Sequence, residues 1–181
     1  SKTLAERAAR DFVASHGAGL HYSSVNPGLV FGPALDRDIG TSAEIIQQFL
    51  KGKYPGAPRM SIPCVDVRDV ARLHRLALET AAPSGGRYLG TADTLWLIDI
   101  ARALRERLGD AARRVPSREL PDWVVKLLAI VDPGARLAVP DLGKHLRVDN
   151  SRTRRTLGAE FIPADEAVAA TGRSLIELGL V

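Results

Sequence analysis

The residues with most chemical potential in this chain are Lys2 and a turn that follows the first strand-like run. Asn26-Pro27-Gly28-Leu29-Val30-Phe31-Gly32-Pro33 comes after an extended stretch expected from about Leu20 to Val25. In open α/β sheets, ligands sit in the crevice outside the carboxyl ends of the strands, and this turn lies at such an end. Pro27 stiffens the turn, and Gly28 lets backbone approach a flat ring closely. Val30 and Phe31 add apolar contact. On composition alone the same residues also make an ordinary connecting loop, and Lys2 an ordinary exposed helix residue.

Other reactive side chains are better explained structurally. Asp66 and Asp69 resemble a carboxylate pair, but at a helix start they cap and complement the dipole. His16, His21, His74 and His145 have no metal-ligand spacing, so no metal is expected, and His74 reads as a packing or surface residue. Ser23 and Ser24 lack the glycines of a nucleophile elbow. A lone cysteine, Cys64, excludes an internal disulfide and fits a reducing, cytoplasmic compartment. Trp96 and Trp123 are expected to pack in the core or between lobes, and Phe31, Leu35 and Met60 are candidate pocket residues.

Several elements must position these groups. Leu4, Ala5, Ala8, Ala9, Phe12 and Val13 recur at helical spacing, with Gly17 and Gly19 as the stop. Thr41 and Glu44 form a capping box opening a helix that closes at Gly52. Ser61 to Val65 reads as a strand, and Asp66 caps a helix with the stripe Val70, Leu73, Ala77 and Leu78. Arg87 to Gly90 is a strand and Leu95 to Leu108 a periodic helix. Pro121 opens a helix ended by Asp132-Pro133-Gly134, and two more helices are expected around Ser151 to Leu157 and Pro163 to Leu178. Strands alternating with helices predict an α/β fold. The shift toward helices divides the chain into 1–110 and a second lobe, 111–181, which can interleave.

Composition removes other classes. Hydrophobic residues at 45% and charged residues at 25% fit a globular core, and no apolar run approaches the roughly 20 residues that span a bilayer, so no membrane role is expected. The net charge of +4 raises nucleic-acid binding, but aromatics at 5% and interspersed acids argue against it.

The ordered set Ser1-Lys2-Thr3-Leu4-Ala5-Glu6, Val25 to Pro33, Thr41-Ser42 and Val65-Asp66-Val67-Arg68-Asp69-Val70-Ala71 resembles extended short-chain dehydrogenase/reductases. So does the tail, with Leu157-Gly158, Phe161-Ile162-Pro163 and Ser174-Leu175-Ile176. These belong to the NAD-dependent epimerase/dehydratase family, and the dihydroflavonol-reductase-like or aldehyde-reductase-like branch is nearest. The resemblance implies the C-terminal part of a Rossmann-like, doubly wound parallel sheet with a smaller, mainly helical substrate-binding lobe. It implies that Lys2 is the catalytic lysine, partnered by a tyrosine four residues earlier, before Ser1. Tyr22, Tyr54 and Tyr88 lack that spacing. It also implies that Lys2, Pro27, Gly28 and Ser42 contact NADP or NAD, with NADP preferred, and that the substrate is a small carbonyl compound. No Gly-rich phosphate-binding fingerprint stands between an opening strand and helix, so that half is expected ahead of this segment. The expected partners are the missing N-terminal half or a second copy. A nucleotide-sugar epimerase or dehydratase and a non-catalytic cofactor sensor remain alternatives on the same scaffold.

Overall fold

A computed structural model describes residues 2–17, 19–80 and 84–181; Ser1 of the lysine motif lies outside them. The first helix, α1 (Lys2–His16), leads into β1 (Ser23–Pro27), and a single residue, Gly28, separates β1 from β2 (Leu29–Phe31). β1 pairs in parallel with β5 (Gly86–Gly90), Val25 opposite Tyr88. β2 instead pairs in parallel with β4 (Ser61–Asp66), Leu29 opposite Cys64. The far edge of β4 takes β6 (Asp93–Trp96) in antiparallel register, and a short parallel pair joins β3 (Ala57–Pro58) to β7 (Glu119–Leu120). Helices α2 (Thr41–Leu50), α3 (Val67–Glu79), α4 (Leu97–Leu108), α5 (Asp122–Leu128), α6 (Pro133–Ala138), α7 (Ser151–Leu157) and α8 (Ala164–Glu177) complete the α/β architecture.

The main core lies where α2, α4 and α8 cover the β2-β4-β6 sheet. It is built from Phe31, Ile46, Phe49, Ile62, Ile100 and Leu175, among others. A second cluster, Leu73, Tyr88, Leu157 and Ala159, sits under α3 and α7 against β5. Although α8 comes from the tail of the sequence, it packs on α4, β2 and β4. It is tied there by Thr171. The Thr171 hydroxyl accepts from the Gly32 N–H at 2.7 Å and lies within donating distance of the Gly32 and Ala167 carbonyls. Gly32 has φ of +121°, a backbone conformation that side-chain-bearing residues rarely adopt, and a Cβ there would meet Val67 at 2.9 Å.

Local chemistry explains where elements begin. The fully buried Asp66 carboxylate accepts from the Arg68 backbone N–H and from the Arg68 guanidinium, all at 2.8 Å, and so caps α3. Asp69 accepts from the Ile162 N–H at 2.7 Å and from Arg72. Both carboxylates are therefore structural. Thr41 is the first residue of α2, with Gly40 at the N-cap position and no side-chain cap bond, so the expected capping box does not form. The helix expected from Leu95 begins two residues later, because Thr94, Leu95 and Trp96 extend to pair with β4. Asp132-Pro133-Gly134 does not end a helix but starts one: the Asp132 side chain accepts from the Ala135 N–H, and Pro133 occupies the first turn.

Thr171→Val keeps the shape of the side chain but removes the acceptor for the buried Gly32 N–H. Chemical denaturation should show a loss of about 1–3 kcal/mol. No loss would mean that the Gly32 loop finds another partner.

Candidate functional site

The β1–β2 break positions the candidate site. Gly28 donates its N–H to the Gly90 carbonyl at 2.9 Å, which keeps it in line with β5. A Cβ on Gly28 would lie 2.5 Å from the Pro63 carbonyl oxygen. The glycine is thus required by a backbone crossing within the fold, a stronger constraint than the approach to a flat ring expected of it. Pro27 ends β1 and is exposed at the carboxyl edge. Ser42 stands in the first turn of α2, and its hydroxyl donates to the Val30 carbonyl at 2.5 Å. Its hydroxyl hydrogen therefore fastens α2 to the strand beyond Gly28, leaving its lone pairs for another donor.

Lys2 opens α1, which packs on the other side of β1. The chain leaves α1 at His16 and enters β1 at Ser23, so the two run in opposite directions and the start of α1 lies toward the Pro27 end. Glu6, one turn after Lys2 and on the same face, fixes that orientation. Its carboxylate accepts from Ser24 and Asn26, both at 3.3 Å, from Arg87 at 3.2 Å, and from Arg10 at 3.0 Å. Desolvation raises the Glu6 pKa, yet hydrogen bonds and charge from Arg87, with help from Asn26 and Arg10, hold it below the ordinary carboxylate value. The exposed Lys2 ammonium makes no ion pair among the described residues. The buried Asn26 Oδ1 has no hydrogen-bond partner.

On the α2 side lies an apolar cavity of about 370 Å³. Thr41, Glu44, Ile45, Gln48 and Phe49 line it from one face of α2. Met60 and Ile62 form its floor, and Val125, Leu128 and Ala138 close it from α5 and α6. Of the candidate pocket residues only Met60 lines this cavity, since Phe31 is buried in the core and Leu35 is 94% exposed. Trp123 is on the surface at 68% exposure, not in the core, while Trp96 packs against His145 with ring centres 5.2 Å apart. The α5 side of this wall follows from the expected helix after Pro121, whereas the α6 side does not, because Asp132-Pro133 serves equally as a helix stop.

The remaining reactive groups are held elsewhere. Cys64 is fully buried, its thiol donates to the Ile62 carbonyl at 3.2 Å, and burial pushes its pKa up to about 12. His74 is exposed, with a ring nitrogen 2.8 Å from the Val70 carbonyl. Among the described residues no group of three or more His, Cys, Asp or Glu side chains could hold a metal ion, and no helix is long and apolar enough to cross a membrane.

Two pH effects follow. Glu6 has a depressed pKa when folded, so its contribution is present above the unfolded value near 4.5 and is lost as pH falls through the folded one. Hydrogen exchange should show α1 loosening in acid, as pH falls below the unfolded value near 4.5, before the main core does, and Glu6→Gln should loosen it at neutral pH. Cys64 has the opposite sign for an acid: its raised pKa costs stability as pH climbs above the unfolded value near 9. The native thiol should therefore resist iodoacetamide at pH 8 and react once the chain is unfolded.

Comparison with known proteins places the chain beside reductases. No family model matches the chain. Ketoreductase azaE of Aspergillus niger is 35% identical over 187 residues, which cover 98% of this chain and 50% of that protein. Cinnamoyl-CoA reductase CAD2 of Medicago truncatula is 30% identical, covering 98% of this chain and 47% of its own length. The yeast methylglyoxal/isovaleraldehyde reductase Gre2, crystallised with NADPH, superposes with a TM-score of 0.75 at 22% identity, over 100% of this chain and 55% of that one. That likeness shows the Rossmann-like fold. The chain spans about half the length of the curated relatives it matches. These relatives are reductases of the short-chain dehydrogenase/reductase (NAD-dependent epimerase/dehydratase) family, and the chain matches the C-terminal half of them.

Proposed function

We propose that this chain forms the C-terminal half of an NADPH-dependent reductase of aldehydes or ketones. The observation that supports this is the position of Lys2 one turn before Glu6, whose carboxylate is bonded to Ser24 and Asn26 of β1; the lysine is exposed and makes no ion pair among the described residues. The reductase relatives match this chain along almost its whole length, and one structural neighbour was crystallised with NADPH. That neighbour favours NADP over NAD.

The residues fit a nicotinamide nucleotide. Lys2 offers donors to a ribose hydroxyl, and the orphaned Asn26 Oδ1 offers an acceptor to a hydroxyl or amide at the same edge. Pro27 and Gly28 form a stiff, side-chain-poor rim on which a flat ring rests, and Ser42 stands beyond it with lone pairs still available. Bound NADPH supplies the hydride. Lys2 lowers the pKa of a tyrosine one turn earlier on the same helix, since a nearby cation favours the phenolate. The phenol then gives its proton to the carbonyl oxygen of the substrate. Glu6 holds α1 so that this pair faces the crevice, and does so through charge rather than buried apolar surface. β1 pairs only with β5 among the described residues, so its other edge is open to a strand of the remaining half or of a second copy.

Kinetics of the complete protein with an aldehyde panel test the assignment. Lys2→Met should leave the fold intact, lower turnover by roughly 10²–10⁴-fold, and weaken NADPH binding. Raising the pH should partly rescue alcohol oxidation, because the tyrosine then ionises without help. Unchanged turnover and cofactor affinity would remove Lys2 from the chemistry. Conversion of a nucleotide sugar without net NADPH consumption would favour the epimerase alternative.

A second expectation concerns the chain by itself. Lacking a Gly-rich phosphate-binding turn, the 181 residues should bind NADPH only weakly in calorimetry. Micromolar affinity would contradict the proposed division of labour.

A further inference from the structure

We infer that the cavity between α2, α5 and α6 takes an elongated apolar tail of the carbonyl substrate; this rests on the reductase function proposed above. Three observations point to it. First, the cavity is long: Thr41, Glu44, Ile45, Gln48 and Phe49 recur at helical spacing, so it follows one face of α2 for about 12 Å at 1.5 Å per residue. Its volume, about 370 Å³, lies within the range of small-molecule sites.

Second, one end of the cavity adjoins the candidate reaction turn. Thr41 lines it, and its neighbour Ser42 is bonded to Val30, two residues past Gly28. Ile62 lines it too, and its neighbour Pro63 makes the close backbone crossing with Gly28. A molecule whose carbonyl lies over Pro27 and Gly28 therefore has an apolar slot beside it. Third, the lining is mainly apolar. Ile45, Phe49, Met60, Val125, Leu128 and Ala138 face it from α2, β4, α5 and their surroundings, and the polar lining groups are confined to Thr41, Glu44 and Gln48 on α2, Lys53 after it, and the Tyr54 hydroxyl beside Gly134. Such a lining favours a straight alkyl or aryl-alkyl chain over a sugar, whose hydroxyls would be left unpaired.

The slot gives specificity by chain length. Each methylene placed in it should raise kcat/KM about three- to fourfold until the slot is full. The complete protein is assayed with NADPH and straight-chain aldehydes from propanal to dodecanal, and binding of 1-decanol is measured by calorimetry without turnover. Ala138→Phe fills the slot from α6. Leu137→Arg puts a charge at its lining from a position 80% exposed, so it tests the same surface if the first variant fails to fold. The expected result is tight 1-decanol binding and a decanal-to-propanal ratio of kcat/KM that falls at least tenfold in either variant. Equal kcat/KM for all chain lengths, or a ratio that neither variant moves, overturns the inference while leaving the reductase function intact. Reduction of no carbonyl, with 1-decanol still bound and displaced by Ala138→Phe, would overturn the reductase function and leave the ligand class of the cavity standing.

Discussion

The approach of Gly28 to the Pro63 carbonyl is the constraint on which the rest depends. Residues 23–31 run almost without interruption in extended form, yet they serve two different sheets. At Gly28 the chain leaves β5 and joins β4, and the crossing is so close that a methyl group would lie 2.5 Å from a backbone oxygen. Pro63 has no N–H to offer at that level, and the ladder begins at the next pair, Leu29 with Cys64. The return path closes the same gap: Gly90 accepts from Gly28, and the Ala92 N–H donates to the Cys64 carbonyl at 2.8 Å. The two ladders part there, which is the kind of switch point at which an open α/β sheet offers a crevice.

The two sides of that crevice are held by different forces. On one side, α2 and α8 are fixed by a dry core and by the buried Thr171 hydroxyl, which are insensitive to salt and mild acid. On the other, α1 buries none of its residues and is tied to the strands by a single carboxylate that accepts from Ser24, Asn26 and Arg87. Exposed ion pairs of this kind contribute little each and are screened by salt. The lysine side is thus the less firmly packed side, and the apolar cavity lies beside the core. In a reductase of the proposed type, substrate shape would be read by the firmly packed side and proton transfer set by the other.

Sequence periodicity was enough to place α1, α3, α4, α7 and α8 to within a few residues, because each carries a clear apolar stripe or a glycine or proline boundary. The Asp66 cap was legible for the same local reason. What escaped were features set by tertiary contact. Leu29 to Phe31 looks like a turn until β4 is beside it, and Thr94 to Trp96 looks like the start of a helix until Ile62 lies opposite Leu95. Asp132-Pro133 is ambiguous in principle, since the same pair ends one helix or begins the next. That ambiguity hid α6, and with it the α6 side of the cavity wall. Lys2 was legible only through a family motif; nothing in its spacing distinguishes it from any surface lysine.

The weak tether of α1 bears on how Lys2 would be held for the proposed chemistry. Productive geometry demands that an acid–base group stay within about 0.5 Å of its place, on an element locked by packing. A helix that buries none of its residues, exposes Leu4 at 63% and Phe12 at 57%, and depends on Glu6 for its orientation does not meet that demand alone. Leu4 and Phe12 are eight residues apart, close to two helical turns, so they form one apolar face. Glu6 points to β1, and Lys2 shares its face; the Leu4–Phe12 face therefore turns away from the strand. Apolar contact from outside the 181 residues, on the face opposite Glu6, is what would lock the helix between two surfaces. The proposed remaining half or a second copy would supply it. In that arrangement Glu6 sets the rotation of α1, the covering surface removes its freedom, and the Lys2 ammonium gains a fixed position over the crevice.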